Sequence, residues 1–161
     1  MTDSDRLIER WTTPAGRSIL ERVLADLHAA GASGMNMPAI LETLADNAAR
    51  TRDVETLTEL CRQRLGRALC EQFGDGTGTV HAITLDPTIE ARLAAAVGRQ
   101  GGSEEASVGP AYLTELVDQI AASIAAAAQS GNDVVVLVRS NVRRFLAELV
   151  RASLPKVAVL S

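Results

Sequence analysis

Residues 132–161 decide the fold, and they read NDVVVLVRSNVRRFLAELVRASLPKVAVLS. Residues 133–138 form a short, nearly continuous run of β-branched residues, which is typical of a strand buried on both faces. A helix should follow, capped by Ser140 and ended by Pro155, and a second apolar strand is predicted over residues 157–160. Strand, helix and strand within about thirty residues predict a βαβ unit with parallel strands.

The chain before this stretch is predicted to supply a third strand and the helices that cover the sheet. Residues 80–85 alternate as VHAITL and are assigned to the third strand, since two strands alone are only marginally stable. Helices are predicted to begin at Pro87 and Pro110. The polar, glycine-rich residues 98–109 between these helices are predicted to be disordered.

The pattern before residue 74 is helical throughout. Three apolar stripes at helical spacing follow helix-start signals at residues 13–14, 36–38 and 51–53. The predicted fold class is therefore α+β or α/β, with a three-helix subdomain followed by a small three-stranded α/β subdomain that contains the βαβ unit. The predicted parts are a flexible N-terminal segment over residues 1–16, an all-helical subdomain over residues 17–74 and an α/β subdomain over residues 79–161.

The composition argues against several classes of protein. A net charge of −4 disfavours a dedicated nucleic-acid binder, because neutralisation of phosphates dominates such affinity. No apolar run is long enough to span a bilayer, and the first residues, MTDSDRLIERW, lack the pattern of a signal peptide. Only 2% of the residues are aromatic, so the core must be built from aliphatic side chains.

The chain shows no motif of a catalytic or metal site. His28 and His81 have no cysteine or second histidine at ligand spacing, and no serine lies in a glycine-flanked nucleophile turn. Cys61 and Cys70 lie nine residues apart in one predicted helix, too far apart for a disulfide, and are interpreted as reduced thiols. We therefore predict a protein that is not an enzyme and that needs no cofactor and no metal.

Two patterns keep alternative functions open. Residues 74–79 (GDGTGT) could expose backbone amides to a phosphate, but phosphate loops run from a strand into a helix, and here the order is reversed. A flexible linker is the simpler interpretation, and a small nucleotide-binding α/β enzyme is one alternative. Residues 31–37 could form the turn of a DNA-binding helix-turn-helix regulator, although Glu42 and Asp46 in the following helix would repel phosphate.

Six arginines are the candidate binding residues. Lys156 is the only lysine, so arginine supplies nearly all the positive charge. Three of the six lie on the third predicted helix and three lie around the start of the last one: Arg62, Arg64, Arg67, Arg139, Arg143 and Arg144. The six arginines could simply form ion pairs on a solvated face. The more specific hypothesis is that they contact another subunit or a partner protein, because arginine is enriched at interfaces.

Four segments, taken together, resemble one protein family. They are residues 17–50, which end in AILETLADNAAR, residues 57–73 (LTELCRQRLGRALCEQF), residues 83–93 (ITLDPTIEARL) and residues 135–161. Their order and spacing resemble the C-terminal cytosolic part of the type III secretion export gate, the FlhA/SctV or FHIPEP family. The resemblance covers residues 17–161.

This resemblance implies docking without catalysis. Family members carry a bundle of membrane helices and four cytosolic subdomains, of which residues 17–73 would match the third, ring-building one and residues 80–161 the fourth. The rings, nine-fold in the family, receive chaperone–substrate complexes and gatekeeper proteins beneath the export channel. The implied location is the cytoplasmic domain of a bacterial inner-membrane protein, and the implied partners are copies of the chain, secretion chaperones, gatekeepers and other subunits of the export apparatus.

The chain departs from the family pattern in two ways. Residues 31–38 read GASGMNMP, where relatives carry a different turn, so the local geometry of this turn is not implied by the resemblance. The chain also lacks counterparts of the membrane part and of the first two cytosolic subdomains, between which flagellar chaperones dock in the family.

Overall fold

The computed structural model describes residues 5–6, 9, 11–32, 35–98 and 108–161. Within these ranges the chain is mostly helical with one small parallel sheet, which is an α+β fold. Its contacts divide it into two compact units, Met1–Gln72 and Phe73–Ser161, which we call the helical unit and the α/β unit. Most of the segment predicted to be disordered, including Glu104 and Glu105, lies outside the described residues.

Short polar side chains start the first three long helices of the helical unit. Its described helices are α1 (Pro14–Ala29), α2 (Met37–Asn47), α3 (Val54–Arg64) and α4 (Gly66–Gln72). The side chains of Thr13, Asn36 and Asp53 each accept a hydrogen bond from the backbone N–H three residues further on, at 3.1, 3.1 and 2.9 Å. Each such cap contributes about 0.5–2 kcal/mol. The predicted helix starts are confirmed.

The third predicted helix is broken into two. Helix α3 ends at Arg64, Leu65 leaves the helical conformation, and α4 begins at Gly66. A glycine is a poor helix former, and Leu65 stays in the core at 6% exposure across the break. The prediction of one continuous helix was therefore wrong, and Arg67 and Cys70 lie on a different helix from Arg62 and Cys61.

The core of the helical unit is formed where α3 packs against both α1 and α2. Its fully buried side chains come from all three helices: Val23, Leu27, Ile40, Leu44, Leu57 and Cys61. Burying one aliphatic side chain of this size contributes about 1.5–3 kcal/mol. This unit therefore has a hydrophobic core of its own.

The α/β unit contains the predicted three-stranded sheet. Its described elements are β1 (Ala82–Thr84), α5 (Pro87–Gly98), α6 (Pro110–Gln129), β2 (Val135–Leu137), α7 (Ser140–Arg151) and β3 (Val159–Leu160). The strands pair in parallel in the order β1–β2–β3, with Ile83 opposite Val136 and Val136 opposite Val159. Strand β2, helix α7 and strand β3 form the predicted βαβ unit, and each strand is shorter than its predicted range.

The two faces of the sheet differ. Val136 and Val159 pack into a core with buried residues of α5, α6 and α7, namely Leu93, Leu116, Ile120, Val142, Leu146 and Val150. Leu137, whose side chain points to the opposite face, is 41% exposed. The prediction that this strand is buried on both faces was therefore wrong at Leu137.

Candidate functional site

The six predicted arginines do not form one site. Three lie in the helical unit and three in the α/β unit, and within each unit one of them is buried. Arg62 is 3% exposed and Arg143 is 5% exposed, so their guanidinium groups belong to the interior of their units. The other four, Arg64, Arg67, Arg139 and Arg144, have side chains that are 63%, 94%, 69% and 35% exposed.

The exposed arginines of the helical unit are held only weakly. Nη2 of Arg64 lies 3.9 Å from Oε2 of Glu42, which links α3 to α2, and Nε of Arg67 lies 3.4 Å from Oε1 of Glu71. Exposed pairs of this kind contribute about 0–1 kcal/mol. Both guanidinium groups can therefore exchange these carboxylates for those of another molecule at little cost.

Glu90 of helix α5 contacts the start of helix α7 through its carboxylate. Its Oε1 accepts a hydrogen bond of 3.0 Å from the backbone N–H of Arg139, and its Oε2 lies 3.4 Å from Nε of the same arginine. Arg139 occupies the N-cap position of α7 and makes no side-chain cap, so the prediction that Ser140 caps this helix was wrong. The buried carboxylate of Glu90 supplies negative charge to the helix N-terminus, which the helix dipole favours.

This arrangement bears on the nucleotide-binding alternative. A phosphate at the C-terminal edge of the sheet would need the positive N-terminus of α7. The carboxylate of Glu90, 49 residues earlier in the chain, already lies there and would repel it. Sequence patterns gave no sign of this contact, because Glu90 and Arg139 approach each other only in the folded unit.

The loop after residue 73 is a hydrogen-bonded turn built around Asp75. Oδ1 of Asp75 accepts from the backbone N–H and the hydroxyl of Thr77 at 2.9 and 2.6 Å, and Oδ2 lies 3.1 Å from Nε2 of His81. The backbone N–H of Asp75 donates to the carbonyl of Thr79 at 2.9 Å. The two donors of Thr77 are the main reason that the pKa of Asp75 is lowered to about 2.

The carboxylate of Asp75 lies inside this turn, where it disfavours a bound phosphate. Gly76 and Gly78 have φ values of 84° and 88°, which let the chain turn around the carboxylate of Asp75. The backbone amides of Thr77 and Thr79 donate to this carboxylate, so they are turned toward a negative charge of the protein itself. These hydrogen bonds give the loop a defined turn, and the flexibility of residues 74–79 stays a prediction.

The described residues show no cluster suited to metal binding, and of their two free thiols Cys61 is buried and Cys70 is exposed. No three of their His, Cys, Asp and Glu side chains are grouped so as to hold a metal ion. Burial raises the pKa of the Cys61 thiol to about 11, so this group stays protonated at neutral pH. Among the described helices, none is long and apolar enough to cross a membrane.

A cleft of about 230 Å³ opens in the helical unit beside Trp11. Trp11 is 6% exposed although it lies in the segment predicted to be flexible, and its Nε1 is buried without a hydrogen-bond acceptor among the described residues. A buried donor without an acceptor costs about 1–3 kcal/mol. The polar lining includes Thr13, Thr51 and the exposed Arg52, while Leu57 lies at the core side. Sequence analysis did not single out this cleft, since its walls come from three separate stretches.

Comparison with known proteins gives a consistent result along the whole chain. The model of the FHIPEP family matches residues 2–161. The flagellar biosynthesis protein FlhA of Yersinia enterocolitica is 35% identical over 142 residues, which are 88% of this chain and 20% of that protein. The invasion protein InvA of Salmonella typhimurium is 30% identical over 143 residues, which are 89% of this chain and 20% of that protein. The chain thus spans about one fifth of the length of these curated relatives.

Solved structures share the fold. The nonameric EPEC SctV-C, determined by cryo-EM, matches with a TM-score of 0.79 at 20% identity, over 99% of this chain and 48% of that chain. The complex of the CdsV and CdsO proteins of Chlamydia pneumoniae matches with a TM-score of 0.69 at 22% identity, over 97% of this chain and 47% of the matched chain. In both cases the likeness extends over nearly all of this chain and about half of the neighbour.

Proposed function

The chain belongs to the FHIPEP family, as its four sequence segments predicted, and on this premise we propose that it is a non-catalytic docking part of a type III protein export apparatus. The match of the family model to residues 2–161 is the observation that carries this proposal. In this proposal the chain lies on the cytoplasmic side of the inner membrane. There it receives chaperone–substrate complexes and gatekeeper proteins and contacts other subunits of the apparatus.

The helical unit provides the contact between copies of the chain in this proposal. The related SctV-C forms a nonamer, and this chain has the same fold. Arg64 and Arg67 are the arginines of this unit that can reach a neighbouring copy, because their side chains are exposed and only weakly paired. Arg62 supports this surface from the interior of the unit.

The α/β unit provides the contact with other proteins. CdsV is found in complex with CdsO, and its matched chain has the same fold as this one. Arg139 and Arg144 present guanidinium groups at the start of α7, and the buried Arg143 lies between them in sequence. Glu90 holds the backbone at this point, so a partner would meet these side chains on a fixed helix start.

The test is the mass of the chain in solution, measured by light scattering over a wide range of concentrations, with imaging of the most concentrated sample. We expect higher oligomers that grow with concentration. Reversing both charges, Arg64→Glu with Arg67→Glu, should weaken self-association at least about tenfold, because two contacts become repulsive.

The matched control reverses two other exposed arginines of the same unit, Arg22→Glu with Arg50→Glu. It makes the same change in net charge and should leave association as in the parent chain. Equal association in both double variants would remove Arg64 and Arg67 from the contact. A strict monomer at every concentration would contradict self-assembly through these residues and leave partner docking as the role to test.

A further inference from the structure

We propose that the cleft beside Trp11 binds a segment of a partner protein that presents one large apolar side chain next to a carboxylate. The choice of a protein as the ligand rests on the proposed docking function. The size and the charge of the cleft are independent of that proposal and define the chemistry of the segment.

The size of the cleft favours a single anchoring side chain. Its volume is about 230 Å³, whereas sites for small molecules and cofactors usually measure about 300–1,000 Å³. Leu57 is fully buried behind it, and Ile19 and Ala48 add apolar surface. Protein interfaces commonly place one large side chain in such a pocket at the centre of the contact.

The polar groups of the cleft favour a carboxylate beside that anchor. Arg52 is exposed and makes no ion pair with a described residue, so its guanidinium can bind an anion. The hydroxyl of Thr51 accepts a hydrogen bond of 3.1 Å from the N–H of Asp53, which leaves its proton for a ligand. No Asp or Glu is among the described residues that line the cleft, so nothing in the lining repels an incoming carboxylate.

Trp11 calls for one more feature of the ligand, a hydrogen-bond acceptor for its indole N–H. Its Nε1–H has no acceptor among the described residues, so a carbonyl or carboxylate oxygen of the ligand would satisfy it. Trp11 also lines the cleft, so a ligand bound there lies against its indole ring. Binding should therefore change the environment of the whole indole ring.

This change can be observed directly, because Trp11 is the only tryptophan of the chain. The probe is the peptide acetyl-Ala-Leu-Glu-Ala amide, added to the ¹⁵N-labelled chain up to about 10 mM, a range suited to a weak single contact. We expect a saturable downfield shift of the single indole N–H signal and a parallel change in tryptophan fluorescence.

Two altered peptides and two variants of the chain test whether binding occurs in the cleft. Replacing Glu by Gln, or Leu by Ala, in the peptide should weaken binding about tenfold, because each removes one of the two recognised groups. Arg52→Ala should weaken binding of the Glu peptide to the same extent and leave the Gln peptide unaffected. Arg50→Ala, which removes an exposed arginine outside the cleft, should leave the affinity unchanged. Circular dichroism of both variants is the check that they are folded.

Several outcomes would overturn the inference. Absence of any indole shift up to the highest concentration would do so, and so would equal binding of the Glu and Gln peptides. Tighter binding of phenylacetate than of the peptide would assign the cleft to a small carboxylic acid instead. A chain that assembles but binds no peptide contradicts this inference alone, whereas a monomer that binds the peptide contradicts only the proposed self-assembly.

Discussion

The first three helices of the helical unit and helix α7 of the α/β unit are held at their starts in different ways. In the helical unit, Thr13, Asn36 and Asp53 cap α1, α2 and α3 with side chains that lie beside the helix in sequence. In the α/β unit, the start of α7 is held by Glu90, which comes from another helix 49 residues earlier. The first kind of cap needs only its own helix, whereas the second requires α5 and the start of α7 to be packed together.

This difference predicts that the same type of mutation acts differently in the two units. A local cap stabilises one helix, and it can also stabilise nascent helices in the unfolded chain. Removing it therefore destabilises both states, and the change in the free energy of unfolding is smaller. A long-range carboxylate contributes only to the folded unit, so its loss appears in full in the free energy of unfolding.

The largest effect is expected at Glu90. Glu90→Ala leaves the backbone N–H of Arg139 without its acceptor in a partly buried place and should lower the free energy of unfolding by about 1–3 kcal/mol. Glu90→Gln keeps a neutral acceptor and should recover part of this loss. Denaturant unfolding measures the change, and hydrogen exchange should show faster exchange at the Arg139 amide.

The control for this prediction is Glu148→Ala. Glu148 also pairs with an arginine of α7, Arg144, at 3.1 Å, but on the surface and within one helix. Its loss should cost about 0.5 kcal/mol or less. If Glu90→Ala and Glu148→Ala had equal effects, the start of α7 would not depend on the long-range contact, and the contrast between the units would fail.

A smaller effect is expected at Asp53 in the helical unit. Its Oδ2 accepts from the backbone N–H of Thr56 at 2.9 Å and from the hydroxyl of the same residue at 2.6 Å. Asp53→Ala should lower stability by about 0.5–2 kcal/mol, and Asp53→Asn, which keeps the acceptor, should restore most of it. Asp46→Ala, an exposed aspartate inside α2, serves as the control in the same urea titration, and a loss there as large as at Asp53 would contradict a specific capping role.

These contacts also explain how much of the fold could be predicted. Caps, prolines and apolar periodicity act over a few residues. The helix starts, the third strand and the βαβ unit could therefore be predicted from the sequence. The break at Leu65 was missed, because the apolar stripe continues through it and only the glycine that follows weakens the helix. The exposure of Leu137 was missed because a β-branched run does not reveal how completely each face of a sheet is covered.

The candidate sites also combine features that the local sequence predicts with features that depend on tertiary packing. The sequence identified the six arginines by type and spacing, but two of them are buried, and burial depends on tertiary packing. Trp11 and Arg52 lie 41 residues apart and share a cleft only because α1 and the start of α3 come together. A contact of this kind has no local pattern by which it could be recognised.

The smallest expected effect concerns Asp75. This residue also shows that some contacts between neighbouring residues are not predicted from the sequence. Its partners Thr77 and His81 lie within six residues, yet the glycines around it made the loop look flexible. The folded-state pKa of Asp75 is lowered from 3.8 to about 2, so the turn is most stable above the ordinary value and loses this stabilisation as pH falls through about 2. Wild type should therefore lose more stability than Asp75→Asn between these two pH values, as urea unfolding at each pH would show. The same pH dependence in both chains, or an ordinary pKa for the Asp75 carboxyl in an NMR titration, would mean that the loop is as flexible as its glycines suggest.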